Sequence, residues 1–236
     1  MNVIIYNEFL HEREDEGVRK IYPAGIHTAI KDAIADESTS VRCITLDNVD
    51  ELNEALLDTT DVLIWWGHMG HDRVPDSVAN AVVRAINKGM GAIFLHSGHE
   101  SKPFKLLMGT PCSLTWREDG DRELVWVCDP THPIAKGLGR FINIEHEETY
   151  GEPFDVPTPD ELVFISSFSG GEVFRSGCCY RRGYGKIFYF RPGHEAFPVY
   201  YHHDVIRVIK NALAWAYPTK RRNELGSPGV KPPLAE

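Results

Sequence analysis

Two hydrophobic patterns alternate in the first half of the chain. Short apolar runs without periodicity are typical of strands buried on both faces, and they alternate with segments of helical, amphipathic periodicity. The predicted strands are Asn2–Asn7, Val41–Leu46, Asp61–Trp65 and Gly91–Leu95. The predicted helices are Tyr22–Ala35, Asp50–Leu57 and a longer one that opens at Pro75-Asp76 and ends near Gly89. This order predicts a doubly wound, mainly parallel α/β sheet with right-handed crossovers.

The second half has the pattern of antiparallel strands. Asp119-Gly120 and Ser169-Gly170-Gly171 are typical hairpin turns between apolar runs. The predicted strands are Cys112–Glu118, Arg122–Cys128, Glu161–Ser167, Glu172–Tyr180 and Lys186–Phe190, and His202–Ala216 is predicted to be the closing helix. We therefore expect antiparallel additions to the sheet. Residues 1–217 should form one domain, and residues 218–236, rich in Pro, Gly and charge, an extended tail or a strap onto a partner.

Composition narrows the possible partners. The 236 residues carry a net charge of −9, which argues against a nucleic-acid surface because phosphate binding needs clustered Lys and Arg. No run of apolar residues is long enough for a membrane span. The start reads as a strand rather than a signal peptide, and the five cysteines are odd in number without a C-x-x-C pair. These features predict free thiols and a cytoplasmic location.

The strand Gly91–Leu95 is followed by the small-residue turn His96-Ser97-Gly98. Such strand–turn–helix elbows hold up a reactive side chain at the carboxyl edge of an α/β sheet. The residue at the apex of this elbow is His96. An imidazole at that place suggests proton transfer or metal ligation rather than acyl-enzyme chemistry.

Polar clusters follow four of the predicted strands, and parallel strands would bring them to one crevice. They are Glu8, His11 and Glu12 after the first strand, Trp66, His68 and His71 after the third, His96, His99 and Glu100 after the fourth, and His194 and Glu195 after Lys186–Phe190. The acidic segment 145–150, which includes Glu145, Glu147, Glu148 and Tyr150, could hang over the same crevice. The sequence does not decide which of its carboxylates faces the site.

Neutral imidazoles with carboxylates around them are a normal arrangement for zinc or another divalent transition metal. The same groups could instead form an acid–base pair that works near neutral pH. Alternatively, each histidine could have only a structural role and stabilise a turn or the start of a helix. The chain has no H-E-x-x-H or C-x-x-C pattern, so the metal hypothesis depends on clustering alone. Without a P-loop or a G-x-G-x-x-G fingerprint, no nucleotide cofactor is expected.

Several motifs resemble the ThuA-like (trehalose-utilisation) family, whose fold is similar to that of class I glutamine amidotransferases. The resemblance extends over about Asn2 to Tyr217. It is carried by residues 94–100 (FLHSGHE), 129–138 (DPTHPIAKGL), 148–150 (ETY), 185–195 (GKIFYFRPGHE) and 211–216 (NALAWA). It implies a flavodoxin-like or amidotransferase-like fold.

The comparison with amidotransferases also implies what this chain does not do. Their elbow carries a nucleophilic Cys, whereas here His96 takes that position, Gly98 the glycine and Glu100 the glutamine. His194 resembles their later catalytic base, although the spacing to Glu195 differs. Without a thiolate, glutamine hydrolysis through a thioester has no nucleophile. The resemblance therefore predicts the fold without glutaminase activity.

The family resemblance implies an enzyme of carbohydrate metabolism that acts on trehalose or a related keto-disaccharide, as a hydrolase, lyase or isomerase. The alternatives are a non-catalytic sugar-binding or regulatory module and, with least support, a true amidotransferase. The predicted catalytic residues are His96, His194, Glu148 and His68, with His96, His194 and Glu148 as candidate metal ligands. The predicted substrate contacts are Trp66, His71, His99, Glu100, Tyr150 and Glu195. Trp65, Trp116 and Trp126 could also stack on sugar rings or simply pack in the core. A homodimer or higher homo-oligomer is expected, without nucleic-acid or membrane partners.

Overall fold

One nine-stranded sheet forms the centre of the computed structural model, which describes residues 1–226. The strands are β1 Asn2–Asn7, β2 Ser40–Ile44, β3 Val62–Trp66, β4 Gly91–Leu95, β5 Thr115–Val127, β6 Phe141–Gly151, β7 Glu161–Phe168, β8 Val173–Arg182 and β9 Gly185–Phe190. Their order is β2-β1-β3-β4-β9-β8-β7-β5-β6. The neighbours from β2 to β9 are parallel and those from β9 to β6 antiparallel. The predicted α/β sheet with antiparallel additions is therefore confirmed.

Helices cover both faces of the sheet. They are α1 His11–Glu14, α2 Glu16–Ile21, α3 Ile26–Ile34, α4 Glu54–Leu57, α5 Asp76–Lys88, α6 Lys102–Met108 and α7 His203–Ala216. Within β1, Val3 and Ile5 join the core under α3 and α7, whereas Ile4 and Tyr6 join the core under α5 and α6. Burial on both faces explains why the strand sequence shows no alternation. No helix in residues 1–226 is long and apolar enough to cross a membrane.

The predicted hairpin at Asp119-Gly120 is wrong. β5 runs through this pair as one strand, and both of its halves pair with the long strand β6, which the sequence did not predict. The register shifts between Arg117 and Glu123, where Gly120 has a φ of 68°. Arg117 pairs there with Asp119 and Asp121, so the polar stretch forms a bulge rather than a turn. The hairpin between β7 and β8 is present as predicted.

Two helix predictions needed adjustment. The helix predicted for Tyr22–Ala35 is α3, which begins at Ile26 after Gly25 at a φ of 89°, a conformation that glycine adopts without strain. The predicted helix Asp50–Leu57 is divided into a 3-10 turn, Leu46–Glu51, and α4, whose first turn is capped by the side chain of Asn53.

The first part of the predicted tail lies against the domain. The Arg221 guanidinium donates to the carbonyls of Asp58 and Thr60, and the Arg222 backbone N–H donates to the Lys88 carbonyl at 2.8 Å. The remainder of the predicted tail, residues 227–236, lies outside the described residues.

Candidate functional site

The carboxyl ends of β1, β3, β4 and β9 lie at one edge of the sheet, because these strands are parallel neighbours. The predicted polar clusters meet there. One possible ligand atom from each of His68, His96, Glu148 and His194 lies within 4.8 Å of the others. The convergence predicted from the strand ends therefore occurs, with Glu148 contributed by β6.

The elbow after β4 has the predicted strand–turn–helix form. A 3-10 turn, His96–Glu100, follows the strand, and the Ser101 hydroxyl then accepts the Phe104 N–H to cap α6. His96 has a φ of 50°, which a bulky residue adopts only under strain that the surroundings must hold. The imidazole at the apex is thus fixed by the fold.

His96 and Glu148 form the central contact of the site. The Nδ1–H of His96 donates to the Arg191 carbonyl at 3.1 Å, so Nε2 of the neutral ring has only a lone pair. That Nε2 lies 3.1 Å from Glu148 Oε2, yet neither atom has a hydrogen-bond partner among the described residues. Burial, with the charge of Arg191, places the pKa of His96 well below its usual value, and burial raises the pKa of Glu148. Two buried acceptor atoms therefore face each other.

This donor set fits a divalent transition metal. In a tetrahedral zinc site with ligand bonds of about 2.0–2.2 Å, two ligand atoms are about 3.3–3.6 Å apart. The His96–Glu148 separation of 3.1 Å is close to that value. A cation between the two atoms would relieve the contact between their lone pairs, and imidazole with carboxylate is a normal zinc ligand combination.

Glu195 pairs with His68 and His11 rather than mainly with His194. Its Oε1 lies 3.0 Å from His68 Nδ1 and 3.1 Å from His11 Nε2, but 3.8 Å from His194 Nε2. Burial opposes the charge on Glu195, but the hydrogen bond from His68 and the nearby imidazoles hold its pKa well below the usual range. Burial likewise disfavours the charged form of His68, but Glu195 outweighs it and raises the pKa of His68. The carboxylate thus orients the His68 ring.

The side chain of Glu8 stabilises the loop that carries His68. The Glu8 carboxylate accepts the backbone N–H groups of Met69 at 2.7 Å and Gly70 at 2.8 Å, and the side chain is buried. Glu8 therefore supports the loop, which is a structural role for the cluster predicted after the first strand.

Trp66 and His71 do not have the positions expected of substrate contacts. Trp66 is completely buried, and its indole N–H donates to the Gly193 carbonyl at 3.0 Å, so no face of the ring is free for a sugar. That prediction is corrected. His71 is half-buried and is not among the residues that line the cleft described below, and burial lowers its pKa to about 4.

The three acidic residues of β6 lie in three different environments. Glu148 lines the cleft, Glu147 is completely buried, and Glu145 is exposed. The Glu147 carboxylate accepts the N–H groups of Gly193 at 2.8 Å and His194 at 3.1 Å. Glu147 therefore fixes the loop after β9 beside Glu148.

A buried ion-pair network supports this loop. Arg191 Nη1 donates to Glu123 Oε2 at 2.6 Å and lies 3.7 Å from Glu147 Oε2. Its guanidinium carbon lies 4.7 Å from the ring centre of Tyr150 and 5.0 Å from that of Phe168. Burial raises the pKa of Glu147, although Arg191 acts against the increase. The network connects β5, β6 and the end of β9.

A cleft of about 350 Å³ opens onto the cluster, within the range typical of small-molecule sites. It is lined by His68, Ser97, His99, Glu100, Ser113, Leu114, Trp116, Glu118, Glu148 and Tyr150. His96 is completely buried, so the cleft reaches the cluster through His68 and Glu148. Trp116 is 64% exposed, which leaves its ring free to cover a ligand.

The predicted contacts His99, Glu100 and Tyr150 all line this cleft. The His99 Nδ1–H donates to the Cys112 carbonyl at 2.8 Å, and burial lowers the pKa of His99 to about 4. The Tyr150 hydroxyl lies 2.8 Å from the Ser97 hydroxyl. These contacts fix the cleft wall beside the elbow.

Sequence reasoning missed the rim residue Glu118 and the network of Arg191, Glu123 and Glu147. His11, which belongs to the polar cluster predicted after the first strand, contacts Glu195 through its Nε2 at 3.1 Å. Glu118 and Glu123 belong to an antiparallel strand, where no rule about strand ends applies. The only available signal was an Arg directly after the apolar run 187–190 (IFYF), since such a charge needs a partner when buried.

The cysteines give no candidate thiolate at the elbow. Cys112 and Cys178 are buried, and burial raises their pKa values to about 11 and about 12. A glutaminase mechanism needs a thiolate near neutral pH. The site therefore lacks the nucleophile that the amidotransferases use at this position.

Solved structures resemble this chain in fold at low sequence identity. A ThuA-like protein from Bacteroides uniformis ATCC 8492 is 15% identical over 92% of this chain and 91% of its own, with a TM-score of 0.67. A protein described as cytoplasmic, from Salmonella typhimurium LT2, is 9% identical over 92% of this chain and 100% of its own, with a TM-score of 0.61. A glutamine amidotransferase from Thermotoga maritima is 15% identical over 83% of this chain and 76% of its own, with a TM-score of 0.51.

No curated protein sequence matches the chain. The family model described as "ThuA: Trehalose utilisation", however, matches residues 2–216, nearly the whole described domain. The match includes the elbow with His96, the β6 segment with Glu148 and the loop with His194. The family expected from the sequence motifs is thereby confirmed, and the chain belongs to the ThuA family.

Proposed function

We propose that this protein is an enzyme of carbohydrate metabolism that acts on trehalose or a related keto-disaccharide at a divalent metal centre, with zinc as the first candidate. The family description supports the substrate class. A cytoplasmic location and a homo-oligomer belong to the same proposal. The neighbour described as a cytoplasmic protein supports the location.

The single observation that carries the metal centre is the contact between His96 and Glu148. Two buried acceptor atoms face each other at 3.1 Å without a hydrogen bond, and His68 and His194 complete the cluster. Buried polar atoms without partners are costly, so a ligand at this point would account for their presence.

Each protein group has a role in this proposal. When bound, the metal would polarise a carbonyl or hydroxyl oxygen as a Lewis acid. His96 from the elbow and Glu148 from β6 would hold the metal, and Glu195 fixes the orientation of the His68 ring. Trp116 covers the sugar from the rim, because the C–H faces of pyranose rings suit an aromatic surface.

Chelation and reconstitution test the metal centre. After chelator treatment and addition of zinc, we expect one metal ion per chain and a thermal transition that rises with zinc concentration, as ligand linkage requires. Turnover of keto-disaccharides should be lost on chelation and recovered with metal. Equal metal content and equal transitions in treated and reloaded protein would contradict the metal centre. Sugar binding without turnover in the loaded protein would support the alternative of a binding or regulatory module.

Trp116→Ala tests the sugar surface. The ring is exposed, so its removal should leave the free energy of unfolding nearly unchanged while the affinity for the disaccharide falls about tenfold. Calorimetric titration measures this affinity. Tyr184→Ala is the matched control, since Tyr184 is also an exposed aromatic residue but precedes β9 at the opposite edge of the sheet. Equal affinity losses in both variants would contradict a specific role for Trp116.

A further inference from the structure

For each histidine of the cluster, the hydrogen-bond partner of Nδ1 shows which of the two ring nitrogens carries the hydrogen of the neutral ring. A neutral imidazole has one N–H and one lone pair, and only the lone pair can bind a metal. His96 Nδ1 and His68 Nδ1 both lie against oxygen acceptors, the Arg191 carbonyl at 3.1 Å and the Glu195 carboxylate at 3.0 Å. Both Nδ1 atoms therefore carry the hydrogen, and both Nε2 atoms offer a lone pair. Histidines that bind a metal through one nitrogen usually donate the N–H of the other nitrogen to a carboxylate or a backbone carbonyl in this way.

His194 has the opposite arrangement. The backbone N–H of Ala196 donates to His194 Nδ1 at 3.2 Å, so this nitrogen must present its lone pair to the backbone. The hydrogen of the neutral ring is then on Nε2. A ring whose Nδ1 accepts a backbone N–H cannot carry hydrogens on both nitrogens, so the His194 ring is neutral in this arrangement.

His202 provides a precedent within the same chain. His202 Nδ1 accepts the backbone N–H of Asp204, two residues ahead, at 3.2 Å, which is the same local contact that His194 Nδ1 makes with Ala196. The Nε2 of His202 lies 3.2 Å from the Asn143 carbonyl oxygen. A carbonyl can only accept, so His202 donates from Nε2. His194 Nε2 is buried and has no such partner among the described residues.

The nearest carboxylates do not satisfy His194 Nε2. Glu118 Oε1 lies at 3.7 Å and Glu195 Oε1 at 3.8 Å, both beyond hydrogen-bond distance. Glu118 is an exposed residue of the cleft rim, so its flexible side chain can give way to a ligand. The unpaired donor therefore lies where an oxygen that enters past Glu118 could reach it.

We propose that His194 is not a metal ligand but donates a hydrogen bond from Nε2–H to a carbonyl or hydroxyl oxygen of the bound sugar, while His68, His96 and Glu148 hold the metal. This division of roles builds on the proposed function. It replaces the predicted ligand His194 with His68. Three protein ligands leave a coordination position open for an oxygen, as catalytic zinc sites require. The His194 donor then lies beside that position and can select for a polar oxygen there.

Nitrogen-15 NMR of the histidine rings, with and without zinc, tests the proposal directly. In the metal-free protein, at a pH where all three rings are neutral, we expect His194 to carry its hydrogen on Nε2 and His68 and His96 to carry theirs on Nδ1. Zinc should shift Nε2 of His68 and His96 and leave the His194 tautomer unchanged. A hydrogen on His194 Nδ1, or a direct zinc shift of its Nε2, would overturn the assignment. If zinc shifts no ring, the metal centre fails, while the tautomer of His194 still decides the donor role.

Zinc affinity provides an independent readout. By competition with a chromophoric chelator, His194→Ala and His194→Gln should bind zinc within about threefold of the wild type. A loss of about 30-fold or more in His194→Ala would show that the ring is a ligand. For the keto-disaccharide, His194→Ala should lose about tenfold in affinity, the value of about one hydrogen bond, whereas the amide N–H of His194→Gln should retain most of it. Equal losses in both variants would contradict the donor role.

Discussion

Replacing His96 with alanine is expected to lower zinc affinity by more than about 100-fold. Loss of a residue that only hydrogen-bonds a metal ligand already lowers metal affinity by about 10–100-fold. His96 is itself a proposed ligand, since its Nε2 faces Glu148 at 3.1 Å. The ring is completely buried, and the alanine side chain has no atom that could bind the metal in its place. Competition with a chelator measures the affinity, and metal analysis after gel filtration measures the stoichiometry.

Two further variants separate metal loss from damage to the fold. His96→Gly removes the same imidazole but accommodates a φ of 50°, so it should lose zinc as completely while remaining more stable than His96→Ala. His99→Ala removes another buried ring of the elbow, one that lies outside the metal cluster, and should retain zinc affinity within about threefold. Wild-type zinc affinity in His96→Ala would exclude the metal centre proposed here.

The parallel half of the site could be predicted because strand direction alone brings its residues together. His68, His96 and His194 each follow a strand, and the carboxyl ends of parallel neighbours must lie at one edge. The elbow was recognisable because small residues follow an apolar run. Neither inference required knowledge of side-chain contacts.

The antiparallel half could not be predicted in the same way. Asp119-Gly120 has the composition of a hairpin turn, but pairing with β6 along both halves of β5 keeps the strand continuous. Whether Glu147 or Glu148 faces the cleft depends on the register of β6, and a shift by one residue would exchange them. The ring tautomers depend on backbone groups such as the Ala196 N–H, which the sequence pattern does not locate.

The Arg191 network should be the most sensitive structural element near the site. Arg191 is the buried cation that faces both Glu123 and Glu147, and each of those carboxylates is completely buried. Removal of one partner from a buried ion pair leaves a charge without compensation, whereas exposed pairs contribute little. Because Glu147 also holds the Gly193 and His194 N–H groups, damage to the network should reach the cleft.

Arg191→Met is therefore expected to lower the free energy of unfolding by about 3–5 kcal/mol, which corresponds to a Tm lower by roughly 6–20 °C for a chain of this size. Calorimetry and urea unfolding measure the loss. Arg84→Met is the matched control, because Arg84 pairs with Glu54 at 3.3 Å on the surface, and its loss should be below about 1 kcal/mol. Similar Tm values for the two variants would mean that the buried carboxylates take up protons at little cost and that the network does not hold the loop of His194 in place.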